Sequence, residues 1–243
     1  PPDDKIMAYI DIHDLEDEAF INEHYLVFCT KKGTIKKTTV EAFSRPRANG
    51  IVAINIAEGD ELLAVRLTNG NCEVMMAVKS GRAIRFPEEK VRPMGRTATG
   101  VIGIELADDQ DEVVGMITVE KGDKEKTVLV VSENGYGKRS QLVDQETGEQ
   151  EYRITNRGGK GVSTIKITPK TGALITIRDV TDKDDLMIIC ESGMAIRMGV
   201  EDLRVMGRAT QGVRLINLRD GDRIASVTRI EKDEDEDILP IEG

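Results

Sequence analysis

Lys32-Gly33-Thr34-Ile35-Lys36-Lys37, Ser80-Gly81-Arg82-Ala83-Ile84-Arg85, Asn134-Gly135-Tyr136-Gly137-Lys138-Arg139 and Ser192-Gly193-Met194-Ala195-Ile196-Arg197 are four copies of one pattern. A polar residue and a glycine are followed within four residues by one or two cations. Each copy follows an apolar run: Tyr25-Leu26-Val27-Phe28, Val74-Met75-Met76-Ala77-Val78, Val128-Leu129-Val130-Val131 and Leu186-Met187-Ile188-Ile189. The glycines lie 48, 54 and 58 residues apart. A repeat of that length, made of short apolar runs and turns, points to the blades of a propeller-like array.

The unit has further parts. A second glycine follows the first after 17 to 26 residues and closes Arg47-Ala48-Asn49-Gly50, Arg96-Thr97-Ala98-Thr99-Gly100, Arg157-Gly158-Gly159-Lys160-Gly161 and Arg208-Ala209-Thr210-Gln211-Gly212. An arginine begins all four. An apolar strand after a polar turn completes the unit: Leu62-Leu63-Ala64-Val65, Val113-Val114-Gly115-Met116-Ile117, Leu174-Ile175-Thr176-Ile177 and Ile224-Ala225-Ser226-Val227. Ile6-Met7-Ala8-Tyr9-Ile10 reads as a fifth copy of that strand without its hairpin, so the chain is expected to begin partway through a blade.

Apolar runs of four to six residues between Gly, Asn and Asp turns read as short strands. Asn69-Gly70 and Asn134-Gly135 are hairpin turn signals, because both residue types tolerate positive φ. Segments near 38–43, 86–91, 140–145 and 199–203 have room for a single helical turn, and no long amphipathic helix is present. The expected fold is all-β: a partial, open β-pinwheel or propeller-like array of about four blades, at 21–66, 67–117, 118–177 and 178–230. Residues 1–20 would hold the terminal strand and an acidic loop of a truncated preceding blade. Residues 231–243 read as a disordered acidic tail.

Composition narrows the function. Aromatics are 3% and Trp is absent, so the cores must be Ile, Leu, Val and Met. No stretch of 18 apolar residues marks a membrane span, and the N-terminus lacks signal-peptide character. Cys29, Cys72 and Cys190 sit in apolar strands without metal spacing and read as buried reduced thiols, which fits a cytoplasmic protein. There is no phosphate-binding Lys-Ser or Lys-Thr loop and no paired His or Cys motif. Tyr9, Tyr25, Tyr136 and Tyr152 lack a catalytic context. No catalytic, metal or cofactor site is expected in this chain.

The net charge of −10 at first argues against a nucleic-acid partner. Its distribution reverses that reading. Residues 1–24 carry −7 and residues 231–243 carry −6, so the middle is about +3. Within it, segment 31–50 carries +5, 79–100 carries +4 and 193–219 carries +3, while 136–166 has six cations and four acids. Basic bands recurring once per repeat fall on one side of an array. The expected phosphate-binding residues are Lys36, Lys37, Arg45, Arg47, Arg82, Arg85, Arg96, Lys138, Arg139, Arg157, Lys160, Arg197 and Arg208. Of these, Arg82, Arg85, Lys138, Arg139 and Arg197 recur at one register and are expected to face outward on one rim. In Arg157-Gly158-Gly159-Lys160-Gly161 the glycines would let the backbone approach a phosphate while the two cations neutralise it. Backbone binding of duplex DNA with bending fits better than base stacking, since aromatics do not follow the basic positions.

The assembled pattern resembles the DNA gyrase A C-terminal domain family. The resemblance rests on Glu61 to Gly70, Ile84-Arg85-Phe86-Pro87, Met94 to Val101, Gly135 to Arg139, Asn156 to Gly161 and Gly207 to Leu215, and covers most of 21–230. It implies a β-pinwheel whose neighbouring blades exchange strands and whose basic outer rim wraps duplex DNA, so that an ATP-driven type II topoisomerase of the isomerase class introduces negative supercoils. The implied partners are double-stranded DNA, the remainder of gyrase A, and gyrase B in an A2B2 holoenzyme. ATP and Mg would belong to the holoenzyme only, as would the cleavage tyrosine.

The family usually has six blades, and this chain reads as the last four. The family's signature box, a glutamine followed by basic residues and paired glycines, would lie in the absent first blade. Arg157 to Gly161 is a box-like variant preceded by Thr155-Asn156. Two alternatives stand beside this reading: the matching C-terminal domain of topoisomerase IV, a decatenase, and a protein-interaction propeller.

Overall fold

The computed structural model describes residues 5–12 and 15–231. The first module supplies a short helix, α1 (Glu18–Glu23), then β1 (Tyr25–Thr30), β2 (Thr34–Thr39) and β3 (Leu62–Thr68). The second supplies β4 (Cys72–Val78), β5 (Arg82–Pro87), β6 (Val101–Ile102) and β7 (Val113–Glu120). The third supplies β8 (Thr127–Ser132), β9 (Tyr136–Gln141), β10 (Val162–Ser163) and β11 (Leu174–Val180). The fourth supplies β12 (Asp185–Cys190), β13 (Ala195–Gly199), β14 (Val213–Arg214) and β15 (Ile224–Ile230). The array is all-β, as the repeat implies.

Among the described residues these strands form four antiparallel sheets, ordered β3-β1-β2-β6, β10-β5-β4-β7, β11-β8-β9-β14 and β13-β12-β15. The two-residue strands β6, β10 and β14 each leave their own module and complete the sheet before it. Thr34 pairs with Ile102, Arg82 with Ser163 and Tyr136 with Arg214. The innermost strands β3, β7, β11 and β15 neighbour one another around the hub in that order.

This arrangement explains why the central strands are apolar throughout rather than alternating. Every residue of β4 and of β8 is buried. A strand whose sheet is covered on both faces has no solvent side to make polar. The period of two decides only which neighbour each side chain meets. On β4, Val74, Met76 and Val78 pack towards the first module with Val27 and Ile35, while Met75 and Ala77 pack towards the third with Val128 and Val130. On β8, Leu129 and Val131 turn to the fourth module with Leu186 and Ile188. All three cysteines are free and buried.

Some expectations change. Residues 5–12 hold no strand, so Ile6 to Ile10 is not a fifth inner strand in this structure; Ile6 and Tyr9 are exposed rather than packed in a sheet. The acidic run at 15–24 is not all loop but includes α1, capped by the Asp17 carboxylate accepting from the Ala19 and Phe20 amides. Asn69-Gly70 turns the chain with Gly70 at φ 82°, but it joins β3 to β4 in different sheets and is no hairpin. Of the four candidate helical turns, Val40–Phe43 and Glu88–Lys90 form single 3-10 turns. The acidic tail from residue 232 lies outside the described residues. No helix among the described residues is long and apolar enough to cross a membrane.

Candidate nucleic-acid interface

The glycine-cation hairpins depart most from the sequence expectation. Lys36, Lys37, Arg85, Lys138 and Arg139 do not face outward; all are 6% exposed or less. They lie on β2, β5 and β9, which are covered by the exchange strands and the loops leading into them. A cation in such a place must find acceptors or a counter-charge. Lys36 Nζ donates to the Ala53 carbonyl at 2.6 Å and to that of Arg96. Lys37 Nζ donates to the Glu88 carbonyl at 3.1 Å and lies 3.7 Å from its carboxylate. Arg85 pairs with Glu73 through Nε at 2.7 Å and donates from Nη1 to the carbonyls of Leu142 and Tyr152. Lys138 Nζ donates to the Gly207 carbonyl at 2.5 Å. Arg139 donates from Nε to the Leu203 carbonyl at 2.6 Å and pairs with Asp182. Burial, and then the Arg96 charge, push the Lys36 ammonium down to about 8. Burial, with Arg208 nearby, does the same to Lys138.

These buried cations seat the loops that precede the exchange strands. Each loop is docked at the same register. The Met94 amide donates to the Lys37 carbonyl, Thr155 to Arg85 and Met206 to Arg139, at 2.7, 2.9 and 2.9 Å. One residue earlier, Pro93, Ile154 and Val205 form parallel bridges with those same three cationic residues. The residue before each bridge is then Arg92, Arg153 and Arg204, and all three are exposed. None of them makes an ion pair among the described residues. Sequence reasoning missed this trio because it anchored each loop on its closing glycine. The signal was present: in three modules a second arginine stands four residues before the first, as Arg92 and Arg96, Arg153 and Arg157, Arg204 and Arg208.

The loop-closing glycines have a steric cause. Gly100, Gly161 and Gly212 have φ of 111°, 68° and 80°, and a Cβ on each would collide with the carbonyl oxygens of Ile35, Ala83 and Gly137. Only glycine lets the exchange strand lie down on its neighbour. Gly50 has φ 74° and nothing within 4 Å.

The other sequence-nominated residues divide. Arg45 and Arg47 are exposed. Arg82 is half-buried and donates to the carbonyls of Lys160 and Gly161 at 2.9 and 2.7 Å. Arg96 is half-buried. Arg157 donates to the carbonyls of Lys90 and Ile102, and Arg208 to that of Ser163, so both arginines hold the loop as well as bordering solvent. Arg197 pairs with Asp185 at 2.6 Å, and its side chain is 45% exposed. Lys160 is the outermost member of the box-like loop, 71% exposed and 3.6 Å from Glu105. Between β5 and that loop runs a groove of about 400 Å³, bordered by Arg82, Arg153, Asn156 and Lys160. No cluster of His, Cys, Asp or Glu among the described residues could hold a metal.

The profile of the family described as "DNA gyrase C-terminal domain, beta-propeller" matches residues 24–69, 73–120, 126–181 and 184–231, one segment per module. The DNA gyrase A protein of Staphylococcus epidermidis is 45% identical over 233 residues, 96% of this chain and 25% of that protein. Its counterpart in Staphylococcus aureus is 45% identical over 235 residues, 97% of this chain and 25% of that protein. The chain therefore spans about a quarter of the length of these relatives. Two solved structures share the fold at 24% identity: a C-terminal domain of DNA topoisomerase IV, with TM-score 0.78 over 91% of this chain and 65% of that one, and a DNA gyrase A C-terminal domain, with TM-score 0.71 over 86% and 67%. Four modules, four matching segments and the strand exchange between them agree: the chain belongs to the DNA gyrase C-terminal domain family.

Proposed function

We propose that the exposed loops of successive modules form a basic track on which duplex DNA is bound through its phosphates and bent, without sequence readout. The observation that carries this is the recurrence of Arg92, Arg153 and Arg204 at one register in three neighbouring modules, each exposed and each at the foot of a loop docked in the same way. A ligand matching such a row must itself be long and regularly negative. Phosphate contacts position a duplex and carry no sequence information. Arg45, Arg47, Arg82, Arg96, Arg157, Lys160, Arg197 and Arg208 border the same track; the buried cations act through the loops they hold.

Within the full-length protein, this wrapping would support ATP-dependent negative supercoiling by a cytoplasmic A2B2 gyrase. Nucleotide, Mg²⁺ and cleavage chemistry would be supplied by the other parts of that assembly. The 45% identity to gyrase A supports this over a topoisomerase IV role. Binding to a linear duplex at several salt concentrations tests the reading. The affinity of wild type should fall steeply with salt, and Arg92→Ala, Arg153→Ala and Arg204→Ala together should flatten the log–log slope by about 0.9 per lost contact. A triple variant with wild-type affinity and slope would end this reading. A flat salt response in the wild type would favour a protein partner instead.

A further inference from the structure

The inner strands carry two arginines that have no role in seating the loops. Arg66 is the fifth residue of β3 and Arg178 the fifth of β11; the matching residue of the intervening β7 is Ile117. Both arginines line a hub cavity of about 630 Å³. Its walls are Leu63 and Val65 of β3, Val114 and Met116 of β7, and the segment Ile6 to Tyr9. Each arginine makes the same local bond, Nη1 to the preceding carbonyl, at 2.9 Å for Arg66 and 3.0 Å for Arg178. Neither forms an ion pair among the described residues, although the Asp179 charge acts on Arg178 from the next position. Asp179, the nearest acid along β11, is engaged by Lys126 at 3.0 Å and Arg229 at 3.4 Å.

We infer that this hub is a binding site for a small amphipathic anion, with a phosphate or carboxylate head bridging Arg66 and Arg178 and an apolar body against the inner strands. Two half-buried guanidiniums within electrostatic reach of each other are costly without a counter-charge, because arginine does not shed its proton. Burial and then the Arg66 charge hold Arg178 below its ordinary range, against the partial opposition of Asp179, and a bound anion would offset the repulsion between the two guanidiniums. The remaining N–H groups of the two forks match the oxygens of such a head. A cavity of this size that sets two guanidiniums beside apolar side chains of the inner strands has room for a small molecule with a charged head and an apolar body. The site is lined by inner strands and shares no residue with the loop track, so it does not rest on the DNA reading.

The test uses the whole chain and four probes: hexyl phosphate, hexanoate, inorganic phosphate and hexanol, each followed by calorimetry and by the Met116 methyl resonance. Hexyl phosphate or hexanoate should bind saturably, tighter than inorganic phosphate or hexanol, and should shift Met116. Which of the two binds tighter identifies the head group. Arg66→Met with Arg178→Met should lose affinity about tenfold or more and melt no lower than wild type, since the mutual repulsion is gone; Arg219→Ala, at an exposed arginine outside both sites, should bind the probes as wild type does. The inference is overturned if neither amphipathic anion saturates at millimolar concentration, if the double variant binds as tightly as wild type, or if Met116 stays unmoved while heat is released. Should the double variant not fold, the comparison of hexyl phosphate with hexanol on wild-type Met116 decides alone.

Discussion

Arg157 of the third module donates from Nη1 to the carbonyl of Ile102, 2.9 Å away, on the strand that the second module inserts into the first. The same arginine reaches the Lys90 carbonyl through Nε. Around it the Gly158 amide donates to Gly103 and the Glu105 amide to Gly159, at 2.6 and 3.0 Å. One module on, Arg208 repeats the bond to Ser163, and the Lys166 amide donates to Thr210. The loops of the third and fourth modules are thus each held by the exchange strand before them, and form a connected series rather than independent fingers.

This double duty of Arg157 separates positioning from charge. Arg157→Lys keeps the cation but cannot reach two carbonyls in a fixed fork. It should weaken duplex binding nearly as much as Arg157→Ala while leaving the salt slope closer to wild type. A full rescue by lysine, measured in the same salt titration, would assign Arg157 to phosphate contact alone.

Gly161→Ala should cost on the order of 2 kcal/mol or more, since it adds positive-φ strain to a clash with the Ala83 carbonyl. Gly50→Ala has the strain without the clash and should cost about 1 kcal/mol. Urea denaturation of the two variants checks the difference. Equal losses would mean that the exchange strand tolerates displacement.

Much of this was legible in the chain. Four glycine-cation hairpins at a period near 50 announced the array, and the apolar runs fell on strands β1, β4, β8 and β12. What sequence could not convey was which side of β2, β5 and β9 is covered. A lysine in a hairpin usually points to water, and nothing local to Lys36 or Lys138 says that a loop 60 or 69 residues onward will close over it and offer a carbonyl. The cover comes from another module, so burial here is a long-range property. Arg92, Arg153 and Arg204 were hidden for the converse reason: their exposure follows from the parallel bridges of their neighbours.

Lys36 and Lys138 should make stability depend on pH in the alkaline range. Their folded values of about 8 lie below the ordinary lysine value of 10.5. Between those limits the unfolded chain binds more protons, so stability rises as pH rises from about 8 towards 10. The gain should be on the order of 1–2 kcal/mol per lysine from pH 7.5 to 9.5. Lys36→Met and Lys138→Met should each remove their share of that rise in urea unfolding. A neutral amine still donates N–H, so the latches on Arg96 and Gly207 survive the titration. A wild type whose stability does not rise over that window would contradict these shifts.

The acidic tail offers a separate test. Residues 231–243 carry −6 and could mimic a phosphate strand. Removing residues 232–243 should tighten duplex binding at low salt, with the advantage fading as salt screens it. Unchanged affinity at every salt would leave the tail a solubilising end.

Strand exchange also sets a schedule for synthesis. The first sheet is finished only when Val101 and Ile102 have left the ribosome, the second when Val162 and Ser163 have, and the third when Val213 and Arg214 have. A nascent chain therefore carries one unfinished sheet behind its growing end at every stage. The β2, β5 and β9 edges wait in turn, each with its lysine or arginine still in water, and a pause in translation would prolong the interval in which an edge can pair with the wrong chain.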